Sequence, residues 1–336
     1  MKSQTQVPVT APRIRDAKGQ GPLVMVTAYD APSARVVDTA GVDMILVGDS
    51  VAMVVLGYGD TLQVTTDDMV HHVGAVARTS PRALIVGDLP WLSYHVSRDE
   101  TVHNAAKLIR AGAGAVKLEG GRKRLASVAA ILDAEIPVMG HIGLTPQSIH
   151  ALGGFKVQGK QLDAAQTIVD DAVALAEAGC FAIVLECVPD GVARMVTDSV
   201  DVPTIGIGAG RHCDGQVLVF HDLLGFAGPG HSAPKFVRRY ATLEETATLA
   251  VSRFVDDVRE GRYPSSDETY HMTDQMGDVF GLASRPDGAR SDGARSDGAR
   301  SDGARSDGAR SDGARSDGAR SDTVDLAAGD AVAPPV

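Results

Sequence analysis

Cysteine is scarce: Cys180, Cys187 and Cys213 are the only three in 336 residues. Their number is odd and they lack zinc-ligand spacing, which excludes a disulfide framework and reads as a reduced cytosolic compartment. No stretch approaches the ~20 apolar residues of a membrane span. The first 21 residues are polar and contain no apolar stretch of signal-peptide length. Cations are short too: 32 Lys and Arg face 43 Asp and Glu, a formal net charge of −11. That balance argues against general nucleic-acid binding.

What is present divides the chain. From Pro286 to Arg320 it reads PDGAR and then six copies of SDGAR. This repeat has no apolar face to bury and is expected to be disordered. Arg285 to Asp322 holds eight Arg and eight Asp, so the net acidity belongs to the rest of the chain. The expected organisation is a flexible segment over 1–21, one folded domain over 22–272 and a disordered tail over 273–336. A domain of roughly 250 residues has the size of a single β/α barrel and buries a large core without disulfides.

Short apolar runs and amphipathic stretches alternate along that domain. Candidate strands are LVMVTA from Leu23, MILVG from Met44, ALIVG from Ala83, AVKLE from Ala115, IPVMG from Ile136, FAIVLE from Phe181 and PTIGIG from Pro203. A weaker eighth is DLLGF from Asp222. Helices are expected over Ser33–Ala40, Thr66–Arg78, Arg98–Ala111, Leu162–Ala178 and Leu243–Glu260. About eight alternations suit a closed parallel (β/α)8 barrel with right-handed crossovers. The segments AGVDMILV, AGAGAVKL and AGCFAIVL repeat one helix-to-strand half-unit.

Four acids stand where such runs end: Asp49, Asp88, Glu119 and Glu186. The carboxyl ends of parallel strands are where barrels place their chemistry. Asp49 and Asp88 each follow a glycine on neighbouring strands about 5 Å apart, so the pair shares a proton or binds a cation. Asp49 alone would read as a turn residue capping the next helix. Lys117 and Glu119 are two apart on one strand and face the same way, into the barrel. They are an internal ion pair, or else Glu119 serves a cation and Lys117 an anionic substrate group. Oxygen-rich ligands favour Mg²⁺ over zinc. His141 is a packed rim histidine or a partner for a bound oxo acid or metal-bound water. Glu186, beside an apolar wall, is the candidate general base. Gly206, Gly208 and Gly210 form a loop of the kind that binds anions in barrels, a weak signal alone.

Taken in order, these segments resemble ketopantoate hydroxymethyltransferases. The likeness is carried by VTAYD at 26–30, VGDS at 47–50, DLP at 88–90, VKLEGG at 116–121 and GHIGLTPQS at 140–148. It continues in GGFKVQGK at 153–160, LECVP at 185–189 and IGIGAGRHCDGQVLV at 205–219. It covers about Leu23 to Tyr240 and leaves the SDGAR repeats outside. The resemblance implies a barrel of the phosphoenolpyruvate/pyruvate type. It implies Mg²⁺ held by Asp49, Asp88 and Glu119, and a 2-oxo acid, 3-methyl-2-oxobutanoate, contacted by Asp49, Ser50, Asp88 and Lys117. It also implies Glu186 as proton acceptor, 5,10-methylenetetrahydrofolate as one-carbon donor, and a cytoplasmic homodecamer serving pantothenate biosynthesis. Two other enzymes fit the acids alone. One is a Mg²⁺-dependent lyase or mutase on the same barrel, though the reactive Cys loop such lyases carry is missing here. The other is an aldolase using Lys117 as a Schiff base, which needs a depressed lysine pKa.

Overall fold

The computed structural model describes residues 7–226 and 233–281. They fall into two units, one ending at Ala247 and one starting at Thr248. The first unit begins with α1 (Ala11–Arg15), β1 (Leu23–Thr27), α2 (Ala31–Ala40), β2 (Met44–Val47), α3 (Val51–Val54), α4 (Thr66–Ala77) and β3 (Leu84–Asp88). It continues with α5 (Arg98–Ala111), β4 (Ala115–Glu119), α6 (Leu125–Asp133), β5 (Val138–Gly143), α7 (Ile149–Leu152) and α8 (Leu162–Glu177). Then come β6 (Ala182–Glu186), α9 (Asp190–Ser199), β7 (Thr204–Ile207), β8 (Gly215–Leu218), α10 (Phe220–Leu224) and the start of α11 (Leu243–Arg259). The second unit takes the rest of α11 and α12 (Asp274–Phe280).

The eight strands pair in chain order, all parallel, and β8 closes on β1. Local chemistry sets the helix starts. Asp30 and Ser33 make a capping box for α2, Thr65 and Asp68 one for α4, and Ser97 caps α5. Each cap satisfies backbone N–H groups that a first helical turn leaves unpaired.

Period-two alternation divides the core. Met44, Leu46, Leu84, Val86, Ala115 and Met139 point inward with Ala182 and Val184. Their neighbours Ile45, Val47, Ile85, Val116, Val138 and Ile183 pack outward under the helices. Continuing the inward series toward the carboxyl ends changes its character, from Val86 to Asp88, Ala115 to Lys117 and Glu119, Met139 to His141, and Val184 to Glu186. The interior is apolar at one end and charged at the other.

Three expectations differ from what is observed. Residues 7–21, expected to be flexible, carry α1, whose Ala11 and Ile14 join Val9 in the interior apolar cluster. Ile14 is only 2% exposed, and burial of such a side chain stabilises by about 1.5–3 kcal/mol, enough to order a short polar segment. The eighth strand is Gly215–Leu218, while the stretch from Asp222 falls largely in α10. A short apolar run does not distinguish the two periods, and DLLGF fits helical spacing as well. Residues 274–280, assigned to a disordered tail, form α12. The SDGAR repeats lie outside the described residues.

Candidate active site

The charged end of the interior gathers Asp49, Asp88, Lys117, Glu119, His141 and Glu186, each at most 7% exposed. All six line one cavity of about 60 Å³, with Ser50 at its edge. That volume holds roughly two waters. Register explains the grouping. Asp88 pairs with Lys117, Glu119 with His141, and Gly143 with Glu186, so adjacent strands deliver their inward side chains at one level. Asp49 lies two residues beyond β2, and its backbone N–H donates to Asp88 Oδ2 at 3.2 Å.

Lys117 Nζ sits 2.9 Å from Asp88 Oδ2. Burial disfavours its charge, but Asp88, Glu119 and Asp49 outweigh that and raise the lysine above its ordinary value. A Schiff-base role needs the opposite shift, and the surrounding carboxylates work against it. Burial, then Asp88, then Glu119, hold the Asp49 carboxyl well above the usual range. His141 Nδ1 is 3.5 Å from Glu119 Oε1 and 3.4 Å from Lys117 Nζ. Its Nε2 is 3.2 Å from Glu186 Oε2, though off the hydrogen-bonding direction. Burial and Lys117 pull the imidazole down, yet the two flanking carboxylates prevail and push it up to about 9. Lys117 is committed to Asp88.

Gln147 joins the site, and sequence reasoning gave it no role. Its Nε2 donates to Asp49 Oδ2 at 2.9 Å and to the Leu89 carbonyl at 3.0 Å. Its backbone N–H donates to Glu119 Oε2 at 3.0 Å, and its Oε1 accepts from the Tyr94 hydroxyl at 2.6 Å. Tyr94 oxygen in turn accepts from the Glu119 backbone N–H. The Ser50 hydroxyl is hydrogen-bonded to the Tyr29 hydroxyl at 2.8 Å.

Backbone constraints hold Glu186 in place. Gly143 has φ +94, and a Cβ there would come within 2.3 Å of the Glu186 carbonyl oxygen. Cys187, next after Glu186, has φ +47, a left-handed conformation that costs a non-glycine residue roughly 1 kcal/mol or more. Its N–H donates to the Ile207 carbonyl, which fixes that turn. Burial pushes the Cys187 and Cys180 thiols up to about 12, so both are inert at neutral pH. Gly208 and Gly210 line neither cavity described here. A Cβ at Gly208 would meet Phe236 at 2.7 Å, and one at Gly210 would meet Asp190 at 2.6 Å, so close packing accounts for both.

The donor chemistry fits a hard divalent cation. Four carboxylates face one ammonium and one imidazole, so negative charge is in excess when the acids are ionised. Asp88 Oδ1 is buried without a hydrogen-bond partner. In these side-chain positions, however, no three of the described acids, histidines and cysteines are grouped to clasp an ion. Lys117 and Gln147 take up oxygens of Asp49, Asp88 and Glu119, so ion binding requires those contacts to yield.

A second cavity of about 650 Å³ adjoins this one and shares Glu119 with it. Among the described residues no helix is long and apolar enough to cross a membrane.

A closed parallel barrel with buried acids, a lysine and a histidine at the carboxyl ends of its strands defines an enzyme of the β/α-barrel class. Comparison with known proteins narrows this. Residues 8–266 match the family model described as ketopantoate hydroxymethyltransferase. A 3-methyl-2-oxobutanoate hydroxymethyltransferase of Syntrophomonas wolfei is 54% identical over 273 residues, covering 80% of this chain and 98% of that one. One from Moorella thermoacetica is 54% identical over 264 residues, covering 78% and 97%. The chain belongs to the ketopantoate hydroxymethyltransferase family. Among solved structures, an oxaloacetate acetylhydrolase in complex with 3,3-difluorooxalacetate superposes with TM-score 0.51 at 13% identity, covering 82% of this chain and 95% of that one. A phosphonopyruvate hydrolase gives 0.50 at 15%, covering 81% and 95%. At such identities these two show the shared barrel fold.

Proposed function

We propose that this enzyme transfers a one-carbon unit from 5,10-methylenetetrahydrofolate to 3-methyl-2-oxobutanoate, forming ketopantoate for pantothenate biosynthesis. The observation that carries this reading is 54% identity across 98% of a relative bearing that activity in its name. The acids, lysine and histidine that surround one cavity supply groups suited to the chemistry.

The C3 proton of a 2-oxo acid is too weakly acidic to leave unaided. Glu186 is the base that removes it. Lys117, held by Asp88, presents a fixed positive charge to the oxygen on which negative charge develops, inside a site that excludes bulk water. Ser50, steadied by Tyr29, donates to the substrate carboxylate. His141, between Glu119 and Glu186, keeps both oriented. Asp49, Asp88 and Glu119 would hold Mg²⁺, which acts there as a Lewis acid toward the keto and carboxylate oxygens. The deprotonated C3 then attacks the donor's methylene carbon. A C–C bond forms, both bonds from that carbon to folate N5 and N10 break, and water supplies the hydroxyl oxygen; the proton from C3 and the remaining proton of water end on the two nitrogens, releasing tetrahydrofolate and ketopantoate. By the same resemblance the enzyme works in the cytoplasm as a homodecamer, an assembly that sedimentation would read directly.

The test separates the two halves of the reaction. Deuterium exchange at C3 of 3-methyl-2-oxobutanoate is followed by NMR without folate, and ketopantoate formation is followed with it. Glu186→Gln is expected to slow both by at least ~100-fold, the usual scale for a lost general base. Chelation of divalent metal is expected to abolish both. Unchanged exchange in Glu186→Gln removes Glu186 as base, and full turnover in chelator removes the metal.

A further inference from the structure

The cavity of about 650 Å³ shares Glu119 alone with the cavity of the buried acids. Its volume is that of a pocket for a ligand of some thirty heavy atoms, far more than a five-carbon oxo acid requires. Its lining is chemically uneven. On one wall stand the rings of Tyr94 and His95, with centroids 4.1 Å apart. The Arg124 guanidinium lies 5.8 Å from the Tyr94 ring centre. His95 Nδ1 is buried and has no hydrogen-bond partner. Such a wall suits a flat, hydrogen-bonding heterocycle.

The turn after β4 adds three consecutive cations, Arg122, Lys123 and Arg124, to the same cavity. Arg122 is engaged by Asp171 at 2.9 Å and Asp170 at 3.6 Å. Lys123 makes no ion pair among the described residues, while the Arg124 guanidinium lies over the Tyr94 ring and also acts on His95. Lys123 therefore remains for an anionic group. An apolar edge from Ala151 and Leu152 completes the space. Tyr94 also links this cavity to the acids through its hydroxyl, which donates to Gln147 and accepts from the Glu119 backbone N–H.

We propose that this cavity binds the carrier of the one-carbon unit. The bicyclic pterin of tetrahydrofolate packs against the wall of Tyr94, His95 and Arg124, and the glutamate carboxylates reach Lys123. The carried carbon is then delivered past Glu119. The assignment rests on the folate reading above and adds where that donor binds.

Calorimetric titration with tetrahydrofolate bearing one or three glutamates tests it, together with donor KM and the C3 exchange rate. Ala151→Trp fills the cavity at an exposed position of α7, outside the wall of the smaller cavity. It is expected to weaken tetrahydrofolate binding and raise donor KM at least tenfold, with C3 exchange showing that the barrel is folded. Lys123→Glu is expected to remove most of the gain from extra glutamates, with a salt dependence smaller than that of the wild type. If the wild type binds and uses the donor while both variants keep its affinity and KM, the cavity assignment is overturned and the folate reading stands. If the wild type exchanges C3 deuterium but neither binds nor uses tetrahydrofolates, the folate reading fails and takes this assignment with it.

Discussion

Asp222 is an acid that the proposed chemistry does not use, and it carries a pH dependence of its own. It is 1% exposed, and neither carboxylate oxygen has a hydrogen-bond partner. Burial pushes its carboxyl up from 3.8 to about 6, with Arg239 opposing. The folded protein thus keeps a proton that the unfolded chain has already released. Stability contributed by this group is present below about pH 4 and is lost as pH rises to about 6. Asp222→Asn is expected to be more stable than wild type at pH 8 by about 1–3 kcal/mol, with the difference gone near pH 4. Chemical denaturation at the two pH values measures it, and an equal difference at both would refute the linkage. Asp49, Asp88, Glu119 and Glu186 were legible as one cluster because period two and strand ends fix where they point. Gln147 and Tyr94 were not. Their roles come from hydrogen bonds spanning 98 and 53 residues, and such closures depend on which strand ends meet in space.

Among the strands, β5 and β6 meet at Gly143 and Glu186, and the junction tolerates no side chain on β5. Gly143→Ala puts a methyl against the Glu186 carbonyl and the Val188 side chain while retaining a left-handed backbone. The expected cost is about 2–4 kcal/mol from strain and overpacking. Because the clash displaces Glu186, kcat is expected to fall more than KM changes. Melting temperature and steady-state kinetics report the two effects, and an alanine variant with native kcat would show that β5 does not position the proposed base. Most strands could be read from their apolar runs, since residues buried on both faces leave few alternatives. β8 could not, because GQVL begins with Gly and Gln and owes its place to pairing with β1 and β7. α1 was missed for a related reason: three small or apolar residues become significant once an interior is there to receive them.

Taken together, the barrel and its acids lie within residues 8–266, the span shared with the family. The SDGAR copies fall beyond it, carry no net charge and offer no apolar surface. Truncation after Gly281 is therefore expected to leave kcat, KM and melting temperature as they are, the effect on stability staying within about 0.5 kcal/mol. A drop in turnover on truncation would give the repeats a part in the reaction. The closed barrel was readable from eight alternations in a chain of suitable length. Its division of the interior into an apolar half and a charged half was readable only where strand boundaries were correct.

That division has a consequence for traffic. Met25, Met44, Leu84, Ala115, Met139 and Ile205 fill the amino-terminal half of the axis, and Ile14 of α1 packs into the same cluster. The barrel is a blind well with its stopper supplied by the start of the chain. Under the proposed function, substrate and product would therefore pass through the charged, carboxyl-terminal mouth alone.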